Sequence, residues 1–199
     1  MFKSLLATIS RIIHGPTIKV VKGDITTVNV DAIVNAANER MLGGSGVDGA
    51  IHRAAGPELL EYCEGIPEIR PGVRCPTGSA MPTIGYNLPA KYIIHTVGPV
   101  YESPEVSAPV LESAYRESLK VASKLKLLGL GPPGRSVASV AFPAISCGVY
   151  GYPLDEAARV ALRACKKAPR SIKEITFVMF DDEAYDAWMA ELHKDVKLG

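Results

Sequence analysis

The sequence predicts an α/β domain whose sheet is covered on both faces. Three observations carry this. The 199 residues are 47% apolar with a formal net charge of +1, which suits one domain with a sizeable core and not a disordered chain. Short β-branched segments bounded by Gly, Pro, Asp or Asn alternate with longer helical ones, the pattern of buried strands joined by helices. Two strands are followed by glycine-bearing loops that run into a helix. In such sheets ligands lie at the carboxyl ends of strands.

The elements follow in order. The opening MFKSLLATISRIIHG sets Leu5, Leu6, Ile9, Ile12 and Ile13 on one helical face. Residues 1–23 hold Lys3, Arg11, Lys19 and Lys22 and no acid. That start reads as an organelle presequence or as a helix packed on the domain. Residues 1–16 are expected to be an extension and 17–195 the domain. Strands are expected at Ile18–Val21 and Ala32–Asn35, then helices at Gly46–Ala55 and Pro57–Glu64. Pro67–Pro76 reads as an irregular surface loop. Strands Ser79–Ile84 and Tyr92–Thr96 lead to a helix over Ala108–Leu128. Gly129–Gly134 matches G-x-G-x-x-G, but Pro132 and Pro133 remove the donors a phosphate needs, so it reads as a connecting loop. Strand Val137–Phe142 precedes helix Pro153–Lys167, which opens with Pro153, Asp155 and Glu156 and closes with Lys166 and Lys167, the correct charge order. Strand Ile175–Met179 and helix Glu183–His193 complete the chain.

Charge and cysteine usage narrow the function. With 22 Lys and Arg against 21 Asp and Glu, the balance disfavours a protein that tracks nucleic acid. No apolar run approaches the roughly 20 residues needed to span a bilayer. Cys63, Cys75, Cys147 and Cys165 form no C-x-x-C and no zinc-ligand spacing, which suits free thiols in a reducing compartment. The ligand expected is a small molecule or one group on another protein, and no metal or cofactor is called for. A monomer in the cytoplasm or nucleus is expected, with mitochondrion or plastid the alternative that residues 1–23 raise.

Candidate chemistry concentrates in residues 35–56 and 142–153. Gly44-Ser-Gly46-Val-Asp48-Gly49 precedes a helix, but too far beyond its strand for the dinucleotide fingerprint. Asp48 and His52 are four apart and share a helix face. Asp48 is a helix-stabilising first-turn charge or an acid–base group; the first turn alone lowers its pKa slightly and makes a feeble base. Asn35 at the end of a buried strand is costly unless its amide is bonded. NAAN reads as a turn or as a means of orienting sugar hydroxyls. Cys147 reads as a small residue exposing backbone N–H groups, with a thiol nucleophile served by His52 or His95 as the alternative. His95 reads as a core or strand-end residue. Of Tyr150 and Tyr152, one can cover a sugar or base while the other is core.

GDIT at 23–26, DAIVNAAN at 31–38, GGSGVDGAIHRAAG at 43–56, LPAKYIIHTVGP at 88–99 and FPAISCGVYGYP at 142–153 resemble the macrodomain family over about residues 17–193. The Gly-Val-Asp-Gly-Ala-Ile-His run is similar to the MacroD-type subclass, and NERMLGG with PEIRPGVRCPTG is most similar to plant or algal members. The resemblance implies a three-layer α/β/α fold with a mixed sheet of about six strands, and ADP-ribose as ligand. It implies removal of mono-ADP-ribose from acidic side chains of proteins and deacetylation of O-acetyl-ADP-ribose, both ester hydrolyses at the distal ribose, without metal. A non-catalytic reader of ADP-ribose is the alternative. By position, Asp24 and the Ile25 N–H would meet adenine, with Phe180 at its border. Asn38 would hold the distal ribose, with Tyr150 packed near it. Gly43, Gly44, Ser45, Gly46 and Val47, together with Ser146, Cys147, Gly148, Val149 and Tyr150, would bind the diphosphate. Asp48 would be the acid–base residue and His52 its support. Ser45 stands where the family often has glycine. If that position requires positive φ, serine costs about 1 kcal/mol there.

Overall fold

A computed structural model describes residues 15–125 and 137–197. The amphipathic segment at the N-terminus and the loop Gly129–Gly134 lie outside these residues. The elements are β1 (Thr17–Lys22), a short 3-10 turn (Ile25–Thr27), β2 (Ala32–Ala36), α1 (Gly46–Ala55), α2 (Pro57–Glu64) and β3 (Ala80–Ile84). There follow β4 (Tyr92–Thr96), α3 (Pro104–Lys124), β5 (Ser139–Phe142), α4 (Leu154–Cys165), β6 (Glu174–Met179) and α5 (Asp182–Lys197).

The six strands lie in the order β1-β6-β5-β2-β4-β3, parallel except for β3, which runs antiparallel to β4. The expected mixed sheet covered on both faces is therefore the fold. Pro82 sits in β3, an edge strand, where a missing ladder donor is tolerated. Strand alternation sorts the side chains. Val34, Ile94, Phe142 and Phe177 pack with Leu111, Tyr115, Val160 and Trp188 from α3, α4 and α5. Ile33, Ile93, Ala141 and Val178 face Ile51, Ala55 and Leu59 from α1 and α2.

Most boundaries move by a few residues, and two departures from expectation have clear physical reasons. α3 begins at Pro104, not Ala108, because Ser103 caps it by accepting from Val106 N at 3.4 Å and Pro104 occupies the first turn. Pro109 lies inside this helix but is exposed, so the carbonyl it leaves without a partner reaches water. The turn over Ile25–Thr27 was not expected; Asp24 caps it, accepting from Thr26 N at 2.9 Å. Pro67–Pro76 is irregular, yet Val73 and Cys75 are buried, and Glu39 O accepts from Arg74 N and Cys75 N. Among the described residues no helix is long and apolar enough to cross a membrane.

Candidate functional site

The chain leaves β2 toward α1 and α2 on one face and leaves β5 toward α4 on the other. β2 and β5 are neighbours, so their carboxyl ends diverge and open a crevice. A cleft of about 360 Å³ occupies that position. One wall is Ala37, Asn38 and Gly44–Asp48; the other is Ala144, Ser146 and Gly148–Tyr150, with Gly98 from the segment after β4.

Each wall is braced by its own bonds. Asn38 Oδ1 accepts from Arg40 N at 3.0 Å and its amide donates to Gly43 O at 3.0 Å, which closes the loop after β2. The Glu39 carboxylate accepts from Thr77 N and Oγ1, each at 3.0 Å. Gly49 allows α1 to press on this loop, since a Cβ there would stand 2.3 Å from Gly44 O. Gly98 does the same opposite, where a Cβ would meet Ser146 Oγ at 2.2 Å. Tyr101 N donates to Tyr150 O and Tyr152 N to Ser146 O. Ser146 is held at φ 68°, a conformation costly for serine.

The walls offer donors rather than charges. Among the described residues, Asp48 is the one charged residue lining the cleft. Ser45 precedes α1 without capping it, so the N–H groups of the first turn have no capping partner. Those of Gly148, Val149 and Tyr150 donate to no acceptor among the described residues. Ser146 Oγ is buried and unpartnered. Ser45 has φ −93°, extended backbone, so the feared cost of replacing a glycine does not arise; the positive φ falls on Gly43 and Gly46.

Asp48 is only 3% exposed. Its Oδ1 accepts from Asn35 Nδ2 at 2.7 Å and lies 3.6 Å from His52 Nε2, while Oδ2 has no partner among the described residues. Oδ2 and the Asn38 amide converge on Gly44, where a Cβ would stand 3.1 Å from one and 3.3 Å from the other. Burial raises the Asp48 pKa, against the lowering by the Asn35 bond and His52. This corrects the sequence expectation. The first-turn charge effect is outweighed by desolvation, and Asp48 is a better base than its position in a helix suggests. Burial lowers the His52 pKa against the pull of Asp48, and its ring packs on Gly43 without lining the cleft.

The remaining candidates separate. Val149 and Tyr150 line the cleft, and Val149 is 86% exposed; Tyr152 is buried in the core. Cys147 lies behind its loop. Its thiol donates to Ile145 O at 3.5 Å, and burial raises its pKa to about 12, which argues against a nucleophile. Gly43 and Cys147 do not line the cleft. Asp24, Ile25 and Phe180 sit beyond it, at the carboxyl ends of the adjacent strands β1 and β6, where Gly23 N donates to Met179 O. Phe180 is 82% exposed, while Asp24 Oδ1 is occupied by Thr26. Sequence reasoning placed Gly49 and Gly98 in no role, and the contacts they allow are invisible without the fold. All four cysteines are free, and among the described residues no group of three His, Cys, Asp or Glu is placed to hold a metal ion.

Fold and site together define an α/β domain with a donor-lined, almost uncharged cleft at a topological switch point. The Macro domain family model matches residues 34–161, and the chain belongs to this family. A macro domain-containing protein of Xanthomonas campestris pv. campestris is 51% identical over 175 residues, covering 86% of this chain and 92% of its own. The Oceanobacillus iheyensis macrodomain with ADP is 37% identical with a TM-score of 0.83, covering 96% and 97%. The Trypanosoma brucei macrodomain in complex with ADP-ribose is 39% identical with a TM-score of 0.74, covering 88% of this chain and 68% of its own.

Proposed function

We propose that the cleft binds ADP-ribose and that the protein is a hydrolase. Its substrates are acidic side chains of proteins that carry mono-ADP-ribose, and O-acetyl-ADP-ribose. The observation that carries this reading is Asp48, bonded to Asn35 through one oxygen and presenting an unpartnered oxygen beside the Asn38 amide. A pocket built only to hold a diphosphate gains nothing from a buried carboxylate, because like charges repel. A hydrolase does gain, because the same burial makes the carboxylate basic.

In this reading the diphosphate lies between the first turn of α1 and the N–H groups of Gly148–Tyr150. The distal ribose lies against Asn38 and Tyr150, and adenine extends toward Asp24, Ile25 and Phe180. Asp48 Oδ2 orients a water and takes its proton as the water oxygen attacks the ester carbonyl; a ligand phosphate shares that proton. The ester C–O bond to the ribose then breaks, and the ribose oxygen recovers the proton. The products are the free acid and a ribose hydroxyl. His52 supports Asp48 from the next turn.

The test is single-turnover release of ADP-ribose from a Glu-modified protein and of acetate from O-acetyl-ADP-ribose. Asp48→Ala is expected to lose about 100-fold or more in rate while still binding ADP-ribose by calorimetry. Unchanged turnover in that variant refutes the role of Asp48. Wild-type protein that binds and releases nothing is a reader.

A further inference from the structure

We propose that His95 is a positioning residue, which as the neutral Nε2–H tautomer fixes the Asn35 amide so that it keeps donating to Asp48. Its effect on turnover rests on the hydrolase reading; its effect on Asp48 rests on bond geometry alone. A continuous buried chain joins three strands to the helix that carries Asp48. Asn35 Nδ2 lies 2.7 Å from Asp48 Oδ1 and 3.1 Å from His95 Nδ1. His95 Nε2 lies 3.1 Å from Thr83 Oγ1, which donates to Ile84 O at 3.1 Å. Asn35, His95 and Thr83 are all fully buried.

The chain has one consistent proton assignment. The Thr83 hydroxyl carries one hydrogen, and Ile84 O takes it. Thr83 can therefore only accept from His95, so Nε2 carries the imidazole proton and Nδ1 is a bare acceptor. Asn35 then gives one amide hydrogen to Nδ1 and the other to Asp48. Asn35 Oδ1 is buried and unpartnered, so nothing on the carbonyl side of the amide fixes its orientation. Rotation by half a turn would bring that oxygen against the Asp48 carboxylate, and His95 Nδ1 opposes this rotation.

The surroundings keep the imidazole neutral. Burial, aided by the His52 ring with its centroid 6.2 Å away, pushes the His95 pKa down to about 3. Of the other groups near the chain, Asp48 and His52 lie on α1, and the Cys75 thiol donates to His95 O. Protonation at Nδ1 would set two donors against each other and release Asn35.

The role separates from plain core filling through three substitutions in the full chain. His95→Asn places an amide oxygen at the position of Nδ1 and keeps the Asn35 contact. His95→Gln reaches Thr83 and loses Asn35. His95→Leu loses both. The readouts are the Asp48 carboxyl titration by 13C NMR and steady-state kcat and KM. For Gln and Leu the Asp48 midpoint is expected to rise and kcat to fall about tenfold or more, with KM within about twofold. His95→Asn is expected to recover most of both. If Leu does not fold, Asn against Gln decides. Asn and Gln behaving alike, or a wild-type titration in Gln, overturns the proposal. If the wild type hydrolyses nothing, the catalytic reading fails while the titrations still judge His95.

Discussion

Adding one methyl group at Gly49 tests whether α1 holds the cleft wall. A Cβ at this position would stand 2.3 Å from Gly44 O and 3.1 Å from Arg53 Nη1. The Arg53 contact is with the end of a flexible side chain and relaxes at little cost. The carbonyl contact is with backbone, and restoring ordinary contact requires Gly44 to withdraw by about 1 Å. Helix propensity alone favours Ala over Gly by about 1 kcal/mol, while overpacking costs about 1–3 kcal/mol. The net stability change of Gly49→Ala is therefore between about zero and a 2 kcal/mol loss. Function suffers more, because Asp48 Oδ2 and the Asn38 amide both stand close to Gly44. A displacement of about 1 Å is expected to slow single-turnover release about 100-fold and to weaken ADP-ribose binding about tenfold. Calorimetric titration, turnover and a thermal melt measure all three effects. A variant that melts higher and binds and reacts as the wild type refutes the bracing of Gly44 by α1.

Two further substitutions test the electrostatics. Cys147→Ser keeps a donor toward Ile145 O and is expected to hold kcat within about twofold, since burial raises the thiol pKa to about 12 and leaves it uncharged at neutral pH. Loss of turnover would restore a nucleophilic role. Asp48 titrates above its ordinary value of 3.8 in the folded state, so the native carboxyl keeps its proton to higher pH than the unfolded one. Its contribution to stability is present below 3.8 and lost as pH rises through the folded value. At pH 7 Asp48→Asn is expected to raise the melting temperature by roughly 2–5 °C while abolishing hydrolysis. A lower melting temperature at pH 7 contradicts this sign.

The strands and both cleft loops were legible because buried parallel strands are short apolar runs and their loops are written in glycine. Asn35 also stood out, since an amide in such a run demands a partner. Its partners did not, because Asn35 meets His95 only through the register of β2 with β4, across 60 positions of sequence. The burial of Asp48 was within reach of the sequence. It stands three and seven residues before Ile51 and Ala55, on the face that packs on the sheet. Leaving that burial out reversed the sign of the pKa shift in the free protein. The start of α3 was missed because Ser103 and Pro104, a cap and a first-turn proline, were not read as a helix start.

The free N–H groups of Gly148, Val149 and Tyr150 belong to the main chain, and no codon change other than to proline removes them. Replacing side chains one at a time along this loop would leave those groups in place and report an undemanding surface. Selection acts instead on whatever keeps the backbone bent, such as Gly46 at φ 60° and Ser146 at φ 68°. A map of tolerated substitutions would thus trace the hinges of the cleft and pass over the atoms that face a ligand. Related chains can drift in side-chain identity across these loops and keep the same cleft, so long as the path of the chain survives.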